Sequence, residues 1–143
     1  MVCLGNICRS PLAEGILKSK VLAGTIMVDS AGTASYHIGK PPDSRSIAVA
    51  KKYGIDISTQ VCRKFSRQDF DTFDIIYAMD KDNYNKILEV SKSAEQENKL
   101  RLLLSEIDGN EKEVPDPYYG GEDEFERVFQ MIDNACEQLI KRL

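Results

Sequence analysis

A chain of 143 residues has the length of one domain, which excludes a multidomain machine. With 42% hydrophobic and 29% charged residues the balance is globular, and the chain is long enough to bury a core without disulfide staples. A net charge of −4, with no basic block and no apolar run of about 18 residues, argues against nucleic acid or a membrane as partner.

In chain order, strands and helices alternate. Gly5-Asn6 signals a turn, and Ser10-Pro11 reads as a helix cap followed by proline at the first helical position. Leu12, Ile16 and Leu17 form that helix's apolar stripe, and Gly24 ends it. Thr25 to Val28 reads as a buried strand ending at Asp29-Ser30, followed by a Gly-, Ser- and Pro-rich loop from Ala31 to Pro42. Asp43 or Ser44 caps a second helix, carrying Ile47, Ala48 and Ala50 towards Tyr53, with Gly54 as its stop. Ile75 to Ala78 is the clearest buried strand, and Asp80 opens the helix after it. Ser91 to Lys99 reads as a helix end with a solvated exit, and Leu100 to Leu104 as a further strand. A loop from Gly109 to Gly121 leads into a final helix with Phe125, Val128, Phe129, Ile132, Cys136, Leu139, Ile140 and Leu143 on one stripe.

This alternation predicts an α/β fold, a three-layer doubly wound sandwich whose parallel sheet is covered on both faces. Ligands in such sheets bind beyond the carboxyl ends of the strands, where strand order reverses. The first strand-to-helix loop is therefore the first place to look for chemistry.

Cys3, Cys8, Cys62 and Cys136 do not read as disulfides. Nothing near the N-terminus resembles an apolar signal core, so a cytoplasmic protein with reduced thiols is expected. Without a C-x-x-C pair, and with His37 as the one histidine, no metal site or thioredoxin-like motif is expected either. Cys62 and Cys136 read as small hydrophobes of the core.

Cys3-Leu4-Gly5-Asn6-Ile7-Cys8-Arg9-Ser10 combines a thiol, a guanidinium and a helix start. The unpaired N–H groups of the helix start and its dipole favour an anion. Gly5 and Asn6 can adopt φ > 0, so the amides of Leu4 to Arg9 can turn inward around a tetrahedral oxyanion. Arg9 supplies a planar fork suited to phosphate oxygens. The same positive field favours the Cys3 thiolate, the species that attacks, and Ser10 can donate to that sulfur. No Lys follows a second glycine, so this is not a nucleotide P-loop. Far along the chain stands Val114-Pro115-Asp116-Pro117-Tyr118-Tyr119-Gly120. Thiolate attack on a phosphate ester expels an oxyanion that must be protonated, and Asp116, held between two prolines, is the candidate donor. Tyr118 and Tyr119 offer aromatic walls for a flat leaving group.

With both segments in view, the chain resembles the low-molecular-weight protein tyrosine phosphatases. Cys3 to Pro11 is similar to that family's nucleophile loop and Asp116 to Gly120 to its acid loop; Asp29 to Thr33, Phe73-Asp74 and Ala78 to Asp80 resemble further family blocks. The resemblance spans nearly the whole chain. It implies residues 1–143 as a single domain, a four-stranded parallel sheet in the flavodoxin-like order 2-1-3-4, a phosphocysteine intermediate and no cofactor or metal. It implies Cys3 as nucleophile, Arg9 as phosphate clamp and Asp116 as acid and then base. Asn6, Ser10 and Ser30 would support the loop, and Tyr36, Tyr118 and Tyr119 would grip the ring of phosphotyrosine-containing proteins. It further implies that Cys8 can close a reversible disulfide with Cys3 under peroxide.

Two departures set further expectations. Family members carry several more apolar residues before the nucleophile, where this chain has only Met1 and Val2. Four missing side chains of the central strand, at ~1.5–3 kcal/mol each, amount to ~6–12 kcal/mol against a domain stability of ~5–15 kcal/mol. The first strand is thus expected to be truncated and Met1 to be an internal methionine of a longer chain. Family members also often place a histidine behind the loop asparagine; here a hydroxyl or amide from Ser58-Thr59-Gln60 is expected to replace it, and His37 is expected to face solvent. The rivals are an arsenate reductase, which Cys62 and Cys136 do not suit as a relay pair, and a phosphoarginine phosphatase, disfavoured by Ile7 and the paired tyrosines. A phosphate- or phosphoprotein-binding module without turnover is the rival from outside enzymes.

Overall fold

Val2 and Cys3 alone form the central strand β1 of a sheet whose order is β2-β1-β3-β4, every pair parallel. The computed structural model describes residues 1–107 and 112–143, so the start of the predicted 109–121 loop, through residue 111, lies outside the described residues. The elements are β1 (Val2–Cys3), α1 (Arg9–Lys20), β2 (Ala31–Gly32), α2 (Ser44–Lys52), α3 (Asp69–Thr72), β3 (Ile76–Ala78), α4 (Lys81–Val90), α5 (Ala94–Asn98), β4 (Leu100–Leu102) and α6 (Glu122–Ile140), with a 3-10 turn at Leu103–Glu106. This is the doubly wound α/β architecture and the strand order expected. Val2 pairs with Ala31 on one side and Ala78 on the other, so strand order reverses at β1. The loop leaving Cys3 stands at that switch point.

Period-2 alternation divides the core. Ile76, Ala78, Leu100 and Leu102 face one layer with Phe65, Phe70 and Ile87. Tyr77 and Cys3 face the other with Leu12, Ile16, Val49, Phe125, Val128 and Ile132, which carry the inner stripes of α1, α2 and α6. Among the described residues no helix is long and apolar enough to cross a membrane.

Several expectations need correction. Thr25 to Val28 is not a strand; the strand is Ala31–Gly32 and Met27 is 65% exposed. A strand needs a ladder partner, and β1 reaches no further back than Val2. Between the Met27–Ser30 stretch, which stands outside the sheet, and Phe73–Ile75 lies a cavity of about 310 Å3, lined also by Met1, Leu17 and Leu139. It is larger than the pocket at the opposite, carboxyl end of the sheet, but it holds none of the expected catalytic side chains.

Other differences are local. α1 begins at Arg9 and its N-cap, Cys8, makes no side-chain cap bond, so Ser10 is inside the helix rather than its cap. α1 ends at Lys20, short of Gly24. Asp43 does cap α2, accepting from the Arg45 N–H; Ser46, Val49 and Ala50 are buried, Ile47 packs half-buried against the core, and Ala48 is exposed. The Ser91–Lys99 exit contains α5, capped by Ser93, and β4 stops at Leu102 before the 3-10 turn. Leu143 lies beyond the end of α6 and is 58% exposed.

Candidate active site

The loop from Cys3 to Arg9 closes on itself through the conformation of one residue. Asn6 has φ +56°, alone among the described non-glycine residues. Gly5 is not left-handed, contrary to expectation; its bareness matters instead because a Cβ there would meet the His37 ring at 3.0 Å. The left-handed turn sends the Asn6 N–H back to the Cys3 sulfur at 3.3 Å. Ser10 Oγ approaches the same sulfur at 3.0 Å.

Behind this contact runs a buried polar network. Asn6 Nδ2 donates to Ser10 Oγ at 2.8 Å and to Ser30 Oγ at 3.0 Å. Ser30 in turn donates to the Glu14 carboxylate at 2.7 Å, and Glu14 accepts from Lys18 one helical turn later. Asn6, Ser10, Glu14 and Ser30 are all buried, and each finds partners, so the network is rigid rather than costly. Expected support from Ser58-Thr59-Gln60 does not occur. Gln60 Nε2 donates to the Pro11 carbonyl, and Asn6 Oδ1 accepts instead from the main-chain N–H of Arg63 at 3.0 Å.

Arg9 is 3% exposed and faces three acceptors. Nη1 donates to Asp80 at 2.6 Å and to the Val114 carbonyl at 2.9 Å, and Nη2 lies 3.8 Å from Asp116. Burial opposes its charge, but Cys3, Asp80 and Asp116 outweigh that, so the guanidinium is held charged even more firmly than usual. Asp80, expected to open a helix and part of a block that resembles the family, is also the ion-pair partner of Arg9, a role that sequence reasoning omitted. It does both, since its other oxygen accepts from the Asn83 N–H and caps α4. Gly32 is a second omission. A Cβ there would lie 2.8 Å from the Leu4 carbonyl and 3.0 Å from Asn6 N, so β2 supports the loop from directly beneath.

Asp116 accepts from the Tyr118 N–H at 3.1 Å, an Asx turn that holds its carboxyl toward Arg9. The loop is anchored one strand away, where the Val114 N–H donates to the Met79 carbonyl at 2.8 Å. Cys3, Leu4, Gly5, Ile7, Cys8, Arg9, Tyr36, Asp116, Tyr118 and Tyr119 line one pocket of about 270 Å3. His37 lines it too, half-buried against Gly5 and edge-on to Tyr36, rather than facing solvent. Tyr118 and Tyr119 meet edge to face at 5.0 Å, and Arg45 lies over Tyr118 at 5.5 Å.

The likeness to known proteins spans the whole chain. The family model for low molecular weight phosphotyrosine protein phosphatase matches residues 1–143. The chain belongs to this family. The family member YfkJ of Bacillus subtilis is 42% identical over 143 residues, 97% of this chain and 90% of the relative. The protein tyrosine phosphatase of Entamoeba histolytica superposes with a TM-score of 0.92 at 42% identity, over 99% of this chain and 92% of that one. Wzb of Vibrio vulnificus, solved in complex with benzylphosphonate, gives 0.89 at 32% identity over 99% and 95%. The protein is thus a protein-tyrosine-phosphatase type of enzyme.

All four cysteines are free thiols in this family member. Burial pushes Cys8 up to about 12, so beside Cys3 it stands as a protonated neighbour. Among the described residues no group of three His, Cys, Asp or Glu side chains is arranged to hold a metal ion.

Proposed function

We propose that this single domain hydrolyses phosphotyrosine in proteins through a phosphocysteine, with Cys3 as nucleophile, Arg9 as phosphate clamp and Asp116 as acid and base. The observation that carries the reading is the buried Cys3 sulfur, which accepts the Asn6 N–H at 3.3 Å and lies 3.0 Å from the Ser10 hydroxyl, in the lining of a pocket that also holds Arg9 and Asp116. The thiolate attacks phosphorus, the new P–S bond forms as the P–O bond to tyrosine breaks, and Asp116 gives its proton to the departing phenolate oxygen. Arg9 and the amides of Leu4 to Arg9 bind the three remaining oxygens, whose charge they stabilise best at the transition state. Asp116 then takes a proton from water as the water oxygen attacks phosphorus. The P–S bond breaks, returning the thiolate and releasing phosphate.

Tyr36, Tyr118 and Tyr119 form the slot for the tyrosine ring, and a relative bound to benzylphosphonate, an aromatic ring bearing an anionic phosphorus group, supports that reading. The test is hydrolysis of an aryl phosphate by the full chain, Cys3→Ser and Asp116→Ala, each checked for folding by circular dichroism. Cys3→Ser is expected to abolish turnover, and Asp116→Ala to slow poor leaving groups far more than good ones. A folded chain that binds phosphate without turnover would overturn the proposal in favour of a binding module.

A further inference from the structure

The sequence allots Cys62 nothing but bulk, yet its contacts are specific. The side chain is buried, 3% exposed, and its thiol donates to the carbonyl of Asn6 at 2.7 Å. That carbonyl shares a planar peptide unit with the N–H of Ile7, and in a trans unit the two bonds point in opposite directions. Whatever holds the Asn6 oxygen outward therefore aims the Ile7 N–H inward, toward the pocket that Ile7 lines. The next residue, Arg63, holds the other oxygen of Asn6 through its main chain. Burial raises the Cys62 thiol above its ordinary range, which keeps its proton in place for donation.

The main chain of Cys62 reaches the other side of the pocket. Its N–H donates to the Lys40 carbonyl at 2.8 Å and its carbonyl accepts from the Gly39 N–H at 2.9 Å. Gly39 and Lys40 follow Tyr36 and His37, which line the pocket wall. One residue thus ties the left-handed turn of the anion loop to the segment carrying the rim.

We propose that Cys62 is a positioning residue for dephosphorylation: its thiol fixes the Asn6 carbonyl and thereby presents the Ile7 N–H to the phosphate, without touching substrate. The inference rests on the Cys3–Arg9 loop being the phosphate cradle.

The experiment compares the full chain with Cys62→Ser, Cys62→Ala and Cys62→Val, each with its melting temperature. The readouts are kcat and KM for p-nitrophenyl phosphate and the inhibition constant for inorganic phosphate. Serine keeps the donor, and its shorter bond brings the contact into the ordinary O–H···O range. Valine keeps the bulk and removes the donor, so it serves where alanine does not fold. Loss of the donor is expected to cost about tenfold in kcat/KM, with phosphate inhibition weakened in parallel, the effect of one buried hydrogen bond. Cys62→Ser is expected to stay within about twofold of the parent. Equal activity of parent and the folded donorless variant overturns the proposal, as does a serine variant impaired as much as alanine or valine. An active parent insensitive to Cys3→Ser overturns the cradle reading itself, which separates the two failures.

Discussion

Arg9 donates to the carbonyl of Val114 at 2.9 Å, so the side chain that faces the anion loop also holds the base of the segment carrying Asp116. Val114 is fully buried and its N–H is bonded to Met79 at the end of β3. Arg9 and the segment carrying Asp116 therefore share one anchor, and Asp80 completes it from the neighbouring strand end.

Asp80→Asn separates the two duties of that aspartate. Asparagine caps a helix as well as aspartate does, so α4 keeps its start, and any fall in melting temperature reports the lost ion pair with Arg9 rather than the cap. Asparagine has one acceptor oxygen where aspartate uses two, so an asparagine that keeps the cap turns its amide NH2 toward Arg9, donor to donor, and the buried guanidinium loses this partner and its charge. The expected outcome in steady-state kinetics is a fall in kcat/KM of roughly tenfold or more, the order of one charge-assisted hydrogen bond. Unchanged kinetics would remove Asp80 from the site.

Gly32→Ala tests the floor of the loop. The added methyl meets backbone on three sides, at 2.8 Å from Leu4 O and 3.0 Å from both Asn6 N and Gly5 C, and no flexible side chain can yield. A destabilisation of about 1–3 kcal/mol in urea unfolding is expected, together with weaker inhibition by phosphate. A variant as stable and as phosphate-sensitive as the parent would contradict this packing.

Stability is expected to fall in alkali because of buried thiols. Burial raises Cys8 and Cys136 from about 9 in the open chain to about 12. Their contribution is fully present below pH 9, where both states are protonated. It is lost as pH rises from 9 toward 12, because the unfolded chain releases protons that the folded chain retains. Urea midpoints measured across that interval should decline, and the decline should be shallower in Cys136→Ala. A flat profile would mean that neither thiol is withheld from water.

The resemblance to the family carries a redox expectation for Cys3 and Cys8. Peroxide converts the Cys3 thiolate to a sulfenic acid, and the Cys8 thiol displaces water from it to form the disulfide, which a thiol reductant reopens. The parent should therefore regain activity after peroxide followed by dithiothreitol, while Cys8→Ser should lose it progressively beyond recovery. Equal recovery of the two would exclude Cys8 as the resolving thiol.

The main features were legible because they are written in residue types. A thiol, a guanidinium and a helix start six residues on, and a proline-bracketed aspartate far away, announce chemistry before any fold is known. Strand order and the switch point followed from alternation and resemblance. What stayed hidden works through backbone atoms or through absence. Arg63 holds Asn6 with a main-chain N–H that any non-proline residue would supply. Gly32 matters for the side chain it lacks. Asp80 was visible as a cap but not as Arg9's partner, because only the parallel pairing of β1 with β3 sets their ends side by side. The Thr25–Val28 error has the same root, since apolar periodicity cannot say whether a neighbouring strand is there to pair.

Ser10 has one hydrogen and two claimants for it, the Cys3 sulfur at 3.0 Å and the Ala31 carbonyl at 3.3 Å, while Asn6 already occupies a lone pair of its oxygen. In the proposed reaction the hydrogen would turn toward the sulfur while it bears negative charge and swing to the carbonyl once the sulfur is bonded to phosphorus. A full unit of charge can therefore appear and vanish at Cys3 at the cost of turning a single O–H bond. The surrounding heavy atoms need not move, and the loop meets each new substrate already in its working shape.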